Sequence, residues 1–194
     1  MKIAVDVMGT DFGPSEIVLG ALQAVEAYGC DVVLVGKKEA ITTELKKQGA
    51  ENNPKIVMQE ATEVIAMDEH PSIAVKKKKD ASIVVAAKLL HDKACDALVS
   101  SGSTGAAVAS ALFCLGRIKG IERPSIATVI PNMVGSTVLL DAGAKVDAKP
   151  EQLVQGAIMG SIFAELLLGK EKPRVGLLNI GEEETKGNEQ TLAT

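Results

Sequence analysis

Short, nearly uninterrupted apolar runs alternate along this chain with longer stretches of helical periodicity, and that alternation limits the possible folds more than any other feature. A strand with one wet face alternates polar and apolar residues. A strand covered on both faces, as in a parallel sheet, is apolar throughout. Residues 2–7 (KIAVDV), 31–36 (DVVLVG) and 174–180 (RVGLLNI) are of the second kind, with shorter runs at 56–58 and in ALVS, just before the SSGSTG loop. Between them, Ser15 reads as an N-cap ahead of an apolar stripe at Ile17, Val18, Leu22 and Val25. Further helices are expected over 37–49, 82–91, 106–115 and 151–168, the last with Pro150 at its start. Two more strands, 125–130 and 137–140, are joined through PNMVG, and a last helix begins within 189–194. The expected architecture is α/β: a doubly wound, mostly parallel sheet with helices on both faces, in a single domain spanning residues 1–194.

The formal net charge of −4 gives no basic footprint, so nucleic acid is not an expected partner. With no Trp, one Tyr and three Phe, a base-stacking platform is equally unexpected. Cys30, Cys95 and Cys114 are far apart and form no CxxC pair, and His70 and His91 add no zinc spacing. Neither a disulfide framework nor a metal site is expected. The N-terminal apolar run breaks at Asp6, too early for a signal peptide, and the longest apolar stretch, 153–168, carries Glu165. These features predict a soluble cytoplasmic protein.

In open α/β sheets ligands bind beyond the carboxyl ends of the strands, so the loops there are the ones to search. Ser100-Ser101-Gly102-Ser103-Thr104-Gly105 follows ALVS and opens a helix. Hydroxyl donors, flexible glycine amides and the positive end of a helix dipole make an anion site suited to phosphate. The plainer alternative is a Ser/Thr N-cap with glycines for a tight turn, but four hydroxyls exceed what one cap requires. No GxxxxGK[ST], GxGxxG or GxSxG accompanies the loop, which counts against a Walker nucleotide site, a nicotinamide dehydrogenase and a serine hydrolase. After the first strand, Asp6 and Asp11 can bind a metal or orient a substrate; alternatively Asp11 caps the next helix and Asp6 pairs with a lysine. Residues 141–150 carry two carboxylates and two lysines, and residues 179–188 supply Asn179 and Lys186. The run Lys76 to Lys79 reads first as a solvated face, but it leads into Ser82, where one or two of the four can meet an anion. His70 sits in a loop ahead of Pro71, where a lone histidine is more often structural than catalytic.

Together and in this order, IAVDVMGTDFGP, VSSGSTGA, GRIKGIERP, DAGAKVDAKPEQLVQGAIMG and RVGLLNIGEEETKGNE resemble the PlsX family, the phosphate acyltransferases of bacterial phospholipid synthesis. The match runs from residue 3 to residue 189. Departures are Val7-Met8-Gly9-Thr10 for the usual Ala-Met-Gly-Gly, Ser103 and Lys145 for Asn, and Gln152 for His. The resemblance implies a fold similar to phosphotransacetylases and isocitrate-type dehydrogenases. It implies transfer of a long-chain acyl group from acyl carrier protein to inorganic phosphate, without a cofactor. On it, Ser101, Gly102, Ser103, Thr104 and Gly105 hold phosphate, with Lys79 (or Lys76) and Ser82 as a second anion contact. Lys186, helped by Asn179, neutralises charge, and Asp6 and Asp141 orient. It further implies a homodimer, a peripheral contact with the inner face of the membrane, and a family chain that continues past residue 194. That continuation would hold further sheet, an amphipathic helix pair and part of the dimer interface, so catalysis is expected to need it. Two rivals stand beside this reading: a phosphotransacetylase-like enzyme using acyl-CoA, and a non-catalytic phosphate-binding scaffold.

Overall fold

The computed structural model describes residues 1–142, 147–181, 183 and 185–194, and divides into two compact units, Met1–Gly116 and Arg117–Thr194. The first contains β1 (Lys2–Asp6), α1 (Pro14–Tyr28), β2 (Asp31–Gly36), α2 (Lys38–Lys47), β3 (Ile56–Glu60), α3 (Pro71–Lys77), α4 (Ser82–His91), β4 (Ala97–Ser100) and α5 (Thr104–Cys114). Its four strands form one parallel sheet in the order β3-β2-β1-β4.

Neighbouring strands pair Ala4 with Val33 and Val5 with Leu34, so successive residues face opposite sides in step. Val5, Val7, Val32 and Leu34 pack under Val18 and Val25 of α1 and Ile41 and Leu45 of α2. Ala4, Val33 and Val35 pack on the other face with Ala86 of α4. A third cluster joins Ala74 and Val75 of α3, Ile83 and Val84 of α4, and Ala106 and Ala109 of α5. Both faces are covered, giving the three-layer α/β/α arrangement that the apolar strands imply.

The chain winds from β1 through β2 to β3 in one direction, and β4 then lies on the opposite side of β1. The carboxyl ends of β1 and β4 therefore flank the point where strand order reverses, the place such folds keep for ligands.

One local expectation for this unit is corrected, and one helix is added to those expected. The cap of α1 is Gly13, at φ 74 and without a side-chain bond, and Ser15 lies inside the helix. Pro14 decides this: its fixed φ and missing N–H suit the first helical position, which moves the cap one residue upstream of it. Helix α3 is too short to show a period in the sequence, and exposed His70 occupies its N-cap position without a side-chain cap.

The second unit contains β5 (Ala127–Asn132), β6 (Gly135–Leu140), α6 (Pro150–Leu168) and α7 (Glu189–Ala193). Strands β5 and β6 form an antiparallel hairpin, in a sheet of their own among the described residues. Only Met133 and Val134 separate Asn132 from its partner Gly135, and so short a connection forces antiparallel pairing. Gly156, Gly160 and Ala164 form a buried small-residue stripe along α6, letting the helix lie close to Leu140 of β6. The expected strand at 174–180 is not one: it pairs with no strand among the described residues, and Leu178 and Ile180 are 83% and 84% exposed. An apolar run becomes a strand only where a neighbour completes its backbone hydrogen bonds. No helix among the described residues is long and apolar enough to cross a membrane.

Candidate functional site

The last residues of β1 and β4, Asp6 and Ser100, are register partners. Asp6 is 3% exposed. Its carboxylate accepts hydrogen bonds from the Ser100 hydroxyl at 2.8 Å and from the Met8 amide at 3.2 Å. Burial raises the pKa of Asp6 above the ordinary value of 3.8, while hydrogen bonds from Ser82, Ser100 and Met8 pull it the other way. Among the described residues no lysine pairs with this carboxylate, contrary to the alternative considered for it.

Ser82 is brought here by a cross-link upstream. Glu63 bridges to Ala81, and the Ser82 amide donates to the Glu63 carbonyl at 3.2 Å. The Asp80 carboxylate meanwhile accepts from the Thr62 hydroxyl at 2.5 Å and the Thr62 amide at 2.7 Å, which together hold its pKa below the usual value. The first residue of α4 is thereby fixed against the end of β1.

The loop between β4 and α5 completes the group. Ser103 caps α5, its Oγ accepting from the Ala106 amide at 3.3 Å, so the cap reading holds for that one hydroxyl. The first intrahelical bond runs from the Ala107 amide to the Ser103 carbonyl at 2.9 Å. The amides of Thr104 and Gly105 precede it, and they and the hydroxyls of exposed Ser101 and Thr104 have no partner among the described residues. Gly105 has no space for a side chain, since a Cβ there would stand 2.6 Å from Cγ of Pro71.

Asp6, Ser82, Ser100, Gly102 and Ser103 line, with Gly9, a recess of about 10 Å³. That is room for about one water. A larger anion would rest on the loop's exposed side, where the free amides and hydroxyls are. Gly9 has φ +72 and its Cβ would meet the Ile65 carbonyl at 3.1 Å. Gly9→Ala is therefore expected to lower unfolding free energy by about 1–2 kcal/mol, measured by urea denaturation.

Of the sequence candidates, the structure brings Asp6, Ser82, Gly102 and Ser103 together, with Ser101, Thr104 and Gly105 on the same loop. Lys79 is exposed, and its recorded contact is through its carbonyl, which accepts from Lys88 Nζ at 3.0 Å. Two other lysines of the run have separate tasks. Lys76 lies over the Phe113 ring at 5.1 Å, and Lys78 pairs with Glu69 at 2.5 Å while donating to the Val64 carbonyl at 2.7 Å. Asp11 is exposed in a turn and does not cap α1. No group of three or more metal-ligating side chains occurs among the described residues.

Asp141, Asn179 and Lys186 belong to the second unit. Asp141 follows β6 at φ 61, its amide bonded to the Ile126 carbonyl at 2.8 Å. Asn179 links two of the candidates, its Nδ2 donating to the Lys186 carbonyl at 2.9 Å. Lys145 lies outside the described residues, as do Glu182 and Glu184. Sequence reasoning counted Ser100 among the loop hydroxyls but missed its link to Asp6, and it missed Gly9 as a site member. The signal for Ser100 was its place as the last residue of a strand, level with the last residue of β1.

The whole chain, residues 1–194, matches the family described as fatty acid synthesis protein. It is 58% identical over 194 residues to a phosphate acyltransferase of Desulfitobacterium hafniense strain Y51, covering 100% of this chain and 57% of that one. It is 57% identical over 193 residues to a phosphate acyltransferase of Pelotomaculum thermopropionicum, covering 100% and 56%. This chain belongs to the PlsX family of phosphate acyltransferases. It spans a little over half the length of these PlsX relatives. The fold is shared with the EutD phosphotransacetylase of Staphylococcus aureus, at a TM-score of 0.59 and 16% identity over 84% of this chain and 52% of that one.

Proposed function

We propose that this chain carries the phosphate-binding part of an enzyme that transfers a long-chain acyl group from acyl carrier protein to inorganic phosphate, for phospholipid synthesis. The observation that supports this most is that the amides of Thr104 and Gly105 and the hydroxyls of Ser101 and Thr104 have no partner among the described residues, at the strand-order reversal of a PlsX-family chain. A phosphate oxygen attacks the thioester carbonyl, the C–S bond breaks, and the carrier's thiolate departs and takes up a proton. Ionised phosphate is nucleophilic at neutral pH, and a thiol of pKa about 8.5 leaves readily, so a strong general base is not required. What the site must supply is orientation and positive electrostatics for the phosphate and the tetrahedral oxyanion.

In this reading Ser101, Ser103, Thr104 and the Gly105 amide hold phosphate around Gly102, whose own amide donates to the Ser100 hydroxyl, and Lys79 and Ser82 form a second anion contact. Lys186 neutralises developing charge with Asn179, and Asp6 and Asp141 orient. For the whole protein the same reading includes a homodimer and a peripheral membrane contact, both proposed from the sequence resemblance.

The test is acyl phosphate formation from long-chain acyl carrier protein and phosphate by the full-length protein, beside the same acyl group on coenzyme A. Turnover with the carrier protein, lowered at least about tenfold in both Lys186→Ala and Thr104→Ala, is the expected result. Unchanged rates in both variants would remove the assignment. Preference for the coenzyme A donor would move it to the phosphotransacetylase class, and phosphate binding without turnover by a folded protein would leave the scaffold.

A further inference from the structure

Ser100 stands between the buried carboxylate and the anion loop, and its hydroxyl is used in both directions. A hydroxyl has one proton and two lone pairs. The proton goes to Asp6 Oδ2 at 2.8 Å, and the Gly102 amide donates to the Ser100 Oγ at 3.2 Å. The other Asp6 oxygen takes the Met8 amide, which belongs to the loop after β1. At Gly102 these two loops lie against each other: a Cβ there would be 3.4 Å from the Gly9 carbonyl and 3.5 Å from that of Met8. One carboxylate thus anchors both loops at the reversal of strand order, directly on one side and through Ser100 on the other.

We infer that Ser100 is a positioning residue: its hydroxyl ties the 101–105 loop to Asp6 and so fixes the amides that meet phosphate. The inference rests on the phosphate reading above for its consequence, though not for the link itself. Ser100 is not placed to touch the anion. Its proton is committed to Asp6 and it already accepts from the loop backbone, so it acts on the ligand through the geometry of Gly102 and the residues that follow.

The experiment uses the full-length protein as wild type, Ser100→Ala and Ser100→Thr. It reads amide hydrogen exchange at 8–10 and 101–105, and titrates inorganic phosphate by calorimetry. Ser100→Ala is expected to exchange about tenfold faster at Gly102, as a local opening made easier by one lost hydrogen bond, and to bind phosphate about fivefold more weakly. Ser100→Thr, which keeps the oxygen, is expected to restore both. Exchange at Gly102 equal to wild type in Ser100→Ala would overturn the inference, as would faster exchange with unchanged phosphate affinity. If wild type binds no phosphate, the phosphate reading falls by itself, and the exchange at Gly102 still decides whether Ser100 holds the loop.

Discussion

Asp6→Asn is expected to weaken phosphate binding by about 10- to 100-fold and to change the pH dependence of stability, wild type losing stability relative to the variant as pH rises above 3.8. The two effects have separate causes. Burial is the largest influence on Asp6 and outweighs the hydrogen bonds of Ser82, Ser100 and Met8, so the ionised form is less favourable in the folded protein than in the unfolded chain. A carboxyl whose folded pKa is raised contributes its full stabilisation below the unfolded value of 3.8 and loses it as pH rises through the folded value. Wild type should therefore lose stability relative to the asparagine variant as pH climbs from 3.8, and regain it on acidification. The functional loss arises because an amide has one oxygen where the carboxylate has two. Asparagine can accept from Met8 or from Ser100, and its NH2 then meets the other donor. Losing one hydrogen bond to a charged acceptor is worth about 1.5–3 kcal/mol, which gives the stated range in affinity. Denaturation midpoints from pH 4 to pH 8, paired with phosphate titrations, check both halves. A stability difference between wild type and variant that stays constant from pH 4 to pH 8, together with wild-type affinity, would contradict both.

The parts of this protein that were legible in the sequence are those where local and tertiary demands agree. DVVLVG was readable as a strand because Val32 and Leu34 face α1 and α2 while Val33 and Val35 face α4, and positions 32–35 are therefore all apolar. RVGLLNI has the same composition and is not a strand, because an apolar run does not state whether a neighbour completes its hydrogen bonds. The hairpin of β5 and β6 was readable as two strands; its direction depended on where the turn closes, at Asn132 and Gly135. In the site, SSGSTG announced an anion loop by its residue types. The link of Ser100 to Asp6 and the part played by Gly9 were not legible there, since they depend on a register pairing and a close approach to the Ile65 carbonyl, which are properties of two segments at once. The lysine run shows the converse. Its local charge suggested one surface, but the turn ending α3 sends Lys76 to Phe113 and Lys78 to Glu69.

Ser103→Asp separates the two accounts of the loop more sharply than any alanine variant, because it satisfies one and defeats the other. As a helix cap, Ser103 accepts from the Ala106 amide, and aspartate is as good an acceptor at that position. Its charge also lies favourably at the positive end of the α5 dipole, worth about 0.3–1 kcal/mol. If capping is the loop's whole purpose, the variant should be as stable as wild type or slightly more so, and indifferent to phosphate. If the loop binds phosphate, the new carboxylate repels it. Two unit charges about 4 Å apart at an effective dielectric of about 20 interact by about 4 kcal/mol, so affinity should fall by at least about 100-fold. The expected result is unchanged or raised thermal stability together with that loss, and a loss that shrinks in high salt as screening requires. Calorimetric phosphate titration and thermal unfolding of the same sample decide it. Wild-type phosphate affinity in Ser103→Asp would leave this loop a cap and place the anion elsewhere.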